Sequence, residues 1–199
     1  MSESANRITT LGLLRHGQTD WNIDYRLQGV TDIPMNETGI RQAEAAAIAL
    51  AEQEWDVLLS SPLSRALETA KIVASAHAWP TERIQIDDLL LERSFGEAEG
   101  MLHADWKATF GENHVPGSEA RAELNQRTRA LLDAIADRFA GKRVLAVSHG
   151  ALIREVLGIV SDGAVPPAGE RISNACLNTF IHDVESGWQL LEYAPHPLG

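Results

Sequence analysis

Four short stretches of this chain carry side chains able to do chemistry. They are Arg15-His16-Gly17-Gln18-Thr19, Ser61-Pro62-Leu63-Ser64-Arg65, Glu92-Arg93 and His149-Gly150. Paired arginines offer forked donors that match phosphoryl oxygens. Gly17 and Gly150 would let backbone approach an anion closely. A histidine amid such donors can serve as nucleophile towards phosphorus, or as a cation that stabilises developing charge. A carboxylic acid at the rim, here Glu92, can protonate a leaving oxygen. The residue types point to chemistry on a phosphoryl group.

The fold must bring these stretches together, and hydrophobic patterning says how. Residues 8–14, 56–60 and 143–148 are apolar runs that read as buried strands, with a weaker one at 84–86. Residues 38–53 place Ile40, Ala43, Ala47 and Leu50 at helical spacing. A helix follows the second strand, with Ser61 as N-cap, Pro62 in its first turn, and Leu63, Leu67, Ala70 and Val73 facing inward. Residues 118–140 read as a long helix with Leu124, Thr128, Leu131, Leu132 and Ile135 inside, and 151–157 as another. Two antiparallel strands follow at 176–182 and 189–193, split by a Ser186-Gly187 turn. The alternation predicts an α/β fold with a mainly parallel sheet. No linker divides it, so 1–199 reads as one domain, with residues 1–6 a frayed end and 94–120 a lid-like excursion over one face. Ligands bind beyond the carboxyl ends of parallel strands. Each of the four stretches follows such a strand, and Arg65 lies in the first turn of a helix whose N-terminus favours anions at the same edge. A buried cluster of two histidines, arginines and a carboxylate is expensive to maintain without a ligand.

Five motifs in fixed order carry a family resemblance. Leu13-Leu14-Arg15-His16-Gly17-Gln18-Thr19-Asp20-Trp21-Asn22 resembles the signature of the histidine phosphatase superfamily, also called phosphoglycerate mutase-like. Arg26-Leu27-Gln28-Gly29, Asp32-Ile33-Pro34, Thr38-Gly39 and Gln42-Ala43 match the stretch that follows it. Ser60 to Ala66 with Thr69-Ala70, then Leu91-Glu92 with Phe95-Gly96 and Glu99-Gly100, then Val147 to Gly150 with Ile153-Arg154, match the rest. The resemblance implies a three-layer αβα sandwich whose mainly parallel sheet has an antiparallel edge. It also implies roles: His16 as the nucleophile that becomes phosphohistidine; Arg15, Arg65 and His149 as binders of the phosphoryl group and its transition state; Glu92 as proton donor and later base. Asn22 would contact phosphoryl oxygens or substrate, with Gln28 and Gly29 beside it. The family uses no metal, and no cofactor is implied. The chain departs from the family at Ala98, where Trp is frequent, and at Gly117-Ser118-Glu119-Ala120, where Gly-Gly-Glu-Ser is frequent. Both positions are expected to border substrate.

Blander readings exist for each residue. Alone, His16 reads as a structural histidine and Arg65 as a solvated residue paired with Glu68; their coincidence with Arg15 and His149 outweighs this. Glu97 and Glu99 compete with Glu92 for the acid role. His77, His182 and His196 read as structural, and His103 and His114 as candidates for a pocket wall. The five tryptophans read as core or pocket walls.

The formal charge of −11, from 17 Lys and Arg against 28 Asp and Glu, argues against nucleic-acid and membrane partners. The lone Cys176 excludes an intramolecular disulfide and a cysteine-based zinc site. No apolar run reaches the roughly 18 residues of a membrane span, and no secretory leader is expected, which favours a cytoplasmic protein. Serine-hydrolase, Walker and dinucleotide patterns are absent.

The sequence therefore reads as a metal-independent phosphomonoester phosphatase acting on a small phosphorylated metabolite. The rivals are a cofactor-dependent phosphoglycerate mutase and a non-catalytic binder of phosphorylated ligands. The oligomeric state stays open, a homodimer included. Within 94–120 the one fixed cation is Lys107, against Glu97, Glu99, Asp105, Glu112 and Glu119. The family's mutases carry a longer, more basic insertion there. A short acidic cover is expected to hold a second anionic group poorly and to admit water.

Overall fold

The computed structural model describes residues 8–111 and 115–198. Strand β1 (Thr9–Arg15) leads into a short helix α1 (Asp20–Ile23) and then α2 (Glu37–Leu50). Strand β2 (Val57–Ser60), helix α3 (Ser64–Ala76) and strand β3 (Ile84–Ile86) follow. A 3-10 turn at Asp88–Leu90 precedes the excursion, which holds another at Gly96–Ala98 and the short helix α4 (Trp106–Phe110). The chain then runs through α5 (Arg121–Arg138), β4 (Arg143–Ser148), α6 (Gly150–Val160) and the hairpin β5 (Leu177–Asp183) and β6 (Gly187–Glu192).

One six-stranded sheet has the order β3-β2-β4-β1-β5-β6. The β3-β2-β4-β1 part is parallel, and β5 and β6 add an antiparallel edge, as the sequence predicts. Period-2 alternation sorts its side chains into two cores. Leu11, Leu13, Leu59, Val144 and Ala146 pack with Leu131, Leu132 and Ile135 of α5 and Leu152, Ile153 and Val156 of α6. Leu14, Leu58, Leu145 and Val147 pack on the other face with Ala46, Ala47 and Leu50 of α2 and Ala66, Ala70 and Val73 of α3. Both faces of the central strands are therefore covered, and their near-continuous apolar sequences follow from that.

Three local expectations need correcting. Ile40 is 40% exposed, and Ala43, Ala46, Ala47 and Leu50 form the buried stripe of α2. Helix α3 starts at Ser64 with Leu63 as N-cap, not at Pro62 with a Ser61 cap. The Ser61 hydroxyl is held by His149, and Asp32 caps α3 from outside, accepting from the Ser64 backbone N–H at 2.8 Å and hydroxyl at 2.7 Å. Ala98 is buried within the excursion, against Leu27 and Val115. The expectations for residues 1–6, Glu112 and His114 lie outside the described residues.

Candidate active site

In-register pairing of parallel strands sets the first two groups side by side. Arg15 pairs with Ser148, so the next residues, His16 and His149, leave the sheet together. Their ring centroids are 5.1 Å apart. Strand β2 ends beside β4, and the Ser61 N–H donates to the Val147 carbonyl at 3.0 Å. Ser61 thus meets His149, with its hydroxyl 2.7 Å from Nε2. Arg65, one residue into α3, reaches inward and is 1% exposed.

His16 is 2% exposed, and its Nδ1 lies 2.7 Å from the Gly17 carbonyl. A carbonyl only accepts, so Nδ1 carries the proton and the Nε2 lone pair is left free. Burial holds the His16 pKa well below the ordinary histidine value, and the Arg65 and Arg15 charges lower it further. His149 is lowered likewise by burial, Arg65, His16 and Arg15. Both rings are therefore neutral bases at pH 7.

Arg65 donates to the Gly29 carbonyl at 2.7 Å and the Thr31 carbonyl at 2.9 Å. Arg15 donates to the Ile172 carbonyl. Neither spends its Nε: Arg15 Nε, Arg65 Nε and His149 Nδ1 are buried without a partner. Buried polar atoms are normally paired, so orphans gathered around His16 call for a ligand that accepts hydrogen bonds. A Cβ on Gly150 would stand 3.4 Å from Arg15 Nε, so this glycine keeps the guanidinium face clear. Gly17 has a different reason. A Cβ there would lie 2.2 Å from the Gly39 carbonyl oxygen, so it serves helix packing and not anion approach. The Glu68 alternative for Arg65 fails, because Glu68 pairs with Lys71.

Glu92 stands at the N-terminus of α6. Its carboxylate accepts from the backbone N–H of Ala151 at 3.1 Å and of Leu152 at 3.3 Å. Two groups hold its segment in place. Ser148 donates its hydroxyl to the Leu90 carbonyl at 2.8 Å. Arg127 of α5, clamped by Glu119 at 2.8 Å, donates to the carbonyls of Leu89 and Leu91. Of the competing acids, Glu97 is exposed. Glu99 is consumed by the backbone N–H groups of Val30, Thr31 and Phe95. Glu92 is the carboxylate that lines the cavity.

That cavity measures about 810 Å³. Arg15, Asn22, Gln28, Gly29, Glu92 and Gly150 line it, with Trp21, Tyr25 and Phe95 as aromatic walls and His103 among them. The Asn22 side-chain oxygen is taken by the Thr19 N–H at 3.0 Å and by Asn174 at 3.2 Å, which leaves its amide N–H free. Gln28 is fixed by the Thr19 hydroxyl at 2.9 Å, and Gly29 gives its carbonyl to Arg65. Neither Ala98 nor Glu119 lines the cavity, against the expectation that both border substrate.

The wall is also basic, against the expectation of an acidic cover. Arg26, Arg93, Arg121, Arg154 and Arg171 line it beside Arg15. Arg93 and Arg121 flank the 94–120 excursion by one residue each, and Arg171 arrives from the loop before β5. The charge count over 94–120 leaves these five out, although Arg26, Arg93 and Arg154 stand in the quoted motifs; the sequence does not single out Arg127 or Asn174, and Ser61 reads there only as an N-cap. Ser61 directly follows a strand, and that position was its signal. Among the described residues, no three His, Cys, Asp or Glu side chains come together as metal ligands. No described helix is long and apolar enough to cross a membrane.

Comparison with known proteins bears on the family and the fold. Residues 11–194 match the profile of the histidine phosphatase superfamily (branch 1). The chain is 37% identical over 186 residues to a Bacillus subtilis protein named "Uncharacterized phosphatase PhoE", covering 94% of each. It is 32% identical to a 2,3-bisphosphoglycerate-dependent phosphoglycerate mutase of Gloeobacter violaceus, over 74% of this chain and 73% of that one. Among solved structures, a mycobacterial glucosyl-3-phosphoglycerate phosphatase superposes with a TM-score of 0.80 at 28% identity, over 94% of this chain and 99% of that one.

Proposed function

The chain belongs to the histidine phosphatase superfamily (branch 1), and from that membership we propose that it hydrolyses phosphomonoesters of small metabolites through a phosphohistidine intermediate, without a metal. The observation that carries this reading is the set of orphaned polar atoms around His16, two of them guanidinium donors. Arg15 Nε, Arg65 Nε and His149 Nδ1 are buried and unpaired beside a ring whose Nε2 lone pair is free.

In the first step, His16 Nε2 attacks phosphorus and the ester oxygen departs. The guanidinium groups of Arg15 and Arg65 compensate the charge on the equatorial oxygens, with His149 as a further donor. Glu92, fixed at the mouth, gives its proton to the departing oxygen and then takes one from the water that cleaves the phosphohistidine. Asn22 and Gln28 orient the substrate. The cationic groups that charge stabilisation requires are all present in the protein, which supports metal independence. The acidic surface and single cysteine support a cytoplasmic setting for the same proposal.

The test is a rapid quench in mid-turnover. Wild-type protein should carry acid-labile phosphate, and His16→Ala should carry none and release no phosphate from p-nitrophenyl phosphate. Wild-type turnover should be unchanged in EDTA. Substantial turnover by the variant, or loss in EDTA restored by a divalent ion, overturns the corresponding step. One observation favours the mutase reading: the basic cavity wall can hold an acid group beside the phosphoryl. The excursion is short and carries Lys107 as its one fixed cation, so hydrolysis is expected to dominate. Interconversion of 2- and 3-phosphoglycerate well above phosphate release, stimulated by the bisphosphorylated primer, would reverse that order.

A further inference from the structure

Two neighbouring histidines on the floor of the site are held by different kinds of partner. The Gly17 carbonyl, 2.7 Å from His16 Nδ1, can only accept, so it leaves His16 with a bare Nε2. His149 meets the Ser61 hydroxyl instead, 2.7 Å from its Nε2. A hydroxyl both gives and accepts, so this contact by itself fits either tautomer of the ring. The difference matters, because His149 Nδ1 is buried without a partner among the described residues, as are the Nε atoms of Arg15 and Arg65. Protonated, that nitrogen is a third donor for a phosphoryl oxygen. Bare, it turns a lone pair against one.

The surroundings of the pair choose between the tautomers. Burial first, then the Arg65 charge, holds His149 well below the ordinary histidine pKa, so the ring carries one proton. Ser61 is fully buried, and its backbone N–H is fixed to the Val147 carbonyl at 3.0 Å. The Ser61 hydroxyl oxygen accepts from the Leu63 N–H at 3.4 Å. Its hydrogen has one acceptor among the described residues, His149 Nε2. Two other serines at this edge of the sheet give their hydrogens to carbonyls, Ser60 to Ser61 at 2.9 Å and Ser148 to Leu90 at 2.8 Å. Buried polar groups are normally paired, so Ser61 donates to Nε2 and the one ring proton is left to Nδ1. The opposite tautomer would orphan the Ser61 hydrogen in a buried site.

We propose that Ser61 is a positioning residue whose hydroxyl donates to His149 Nε2 and so fixes the tautomer in which Nδ1–H donates to the phosphoryl oxygens. The Gly17 carbonyl and the Ser61 hydroxyl thereby give two chemically identical rings opposite tasks, a lone pair on His16 and an N–H on His149. The inference rests on the phosphatase reading of the floor, and adds what makes His149 a donor in a place where it is uncharged. Ser61 acts only through His149.

Histidine tautomers are read directly from long-range 1H–15N correlation spectra of protein labelled with 15N-histidine, at pH 8, the His149 ring being assigned by its loss in His149→Gln. The wild type should show Nδ1 protonated and Nε2 bare. Ser61→Ala should lose that pattern, and its kcat for p-nitrophenyl phosphate should fall about tenfold, less than the loss of a donor outright. A wild-type His149 protonated on Nε2, or on both nitrogens, overturns the proposal whatever the variants do. So does a folded Ser61→Ala protein that keeps either the Nδ1–H pattern or the wild-type kcat. If Ser61→Ala does not fold, Ser61→Cys, close in size and a much weaker donor, is read in the same way. Activity separates the proposal from the reading it rests on. If the wild type hydrolyses no phosphomonoester, the phosphatase reading fails, and calorimetric binding of inorganic phosphate replaces kcat. Binding about tenfold weaker in Ser61→Ala, with the tautomer pattern lost, then sustains the role of Ser61, and equal binding ends it.

Discussion

Acid should destabilise this protein well before its carboxylates titrate, because His16 and His149 are buried beside Arg65 and Arg15. Burial first, then the neighbouring charges, hold both pKa values well below 6.5, the ordinary value to which each returns on unfolding. A lowered folded pKa means that the unfolded chain binds protons the folded one refuses. Stability is therefore full above pH 6.5 and lost as pH falls below it. At about 1.36 kcal/mol per pH unit, each histidine contributes a loss of at most about 2 kcal/mol between pH 8 and pH 5. The two together contribute about 4 kcal/mol if neither takes up a proton in the folded state. Carboxylates titrate in the unfolded chain near pH 4, so they add little in this window. His103 is shifted the same way by partial burial and Arg171 and adds to the same sign. The assay is urea denaturation at pH 8, 7, 6 and 5 on the wild type and on His16→Asn, which should lose about half of the pH dependence. A wild-type stability constant within about 1 kcal/mol from pH 8 to pH 5 would refute the reasoning. The same shift puts the acid limb of kcat/KM below pH 6.5, since only neutral His16 can attack.

Three further outcomes follow from named contacts. Glu92→Gln should slow alkyl phosphates on the order of a hundredfold while slowing p-nitrophenyl phosphate far less, since only a poor leaving group needs the proton; equal losses would move the acid role elsewhere. Glu99→Ala frees the backbone N–H groups of Val30, Thr31 and Phe95. The carbonyls that hold Arg65 then lose their support, and stability should fall by about 2 kcal/mol with a raised KM; an unaltered KM would mean that Arg65 is held without Glu99. Gly17→Ala places a methyl group 2.2 Å from the Gly39 oxygen and 2.6 Å from the Met35 sulfur. It should cost about 1–3 kcal/mol in thermal unfolding, and a wild-type Tm would show that the α2 entry yields freely.

Local patterning was enough for the sheet and for most of the floor of the site. The apolar runs at β1, β2 and β4 mark buried strands because both faces of a parallel sheet are covered, and the residues that follow them share one edge by topology. Arg15, His16, Arg65 and His149 were legible on that ground, and Glu92 only as one of three candidate carboxylates. The boundaries that failed did so where a distant group competed for a local one. Ser61 has the residue type of an N-cap, but His149 takes its hydroxyl and Asp32 supplies the cap. Glu97, Glu99 and Glu92 look alike along the chain; only the folded loop shows Glu99 tied to three backbone N–H groups and Glu92 left at the cavity. Charge was the most misleading local quantity. The excursion is acidic in sequence, yet Arg93 and Arg121 at its ends, Arg154 on α6 and Arg171 from the loop before β5 meet around one cavity. Electrostatic potential depends on distance through space, and sequence separation carries no information about it until the chain is folded.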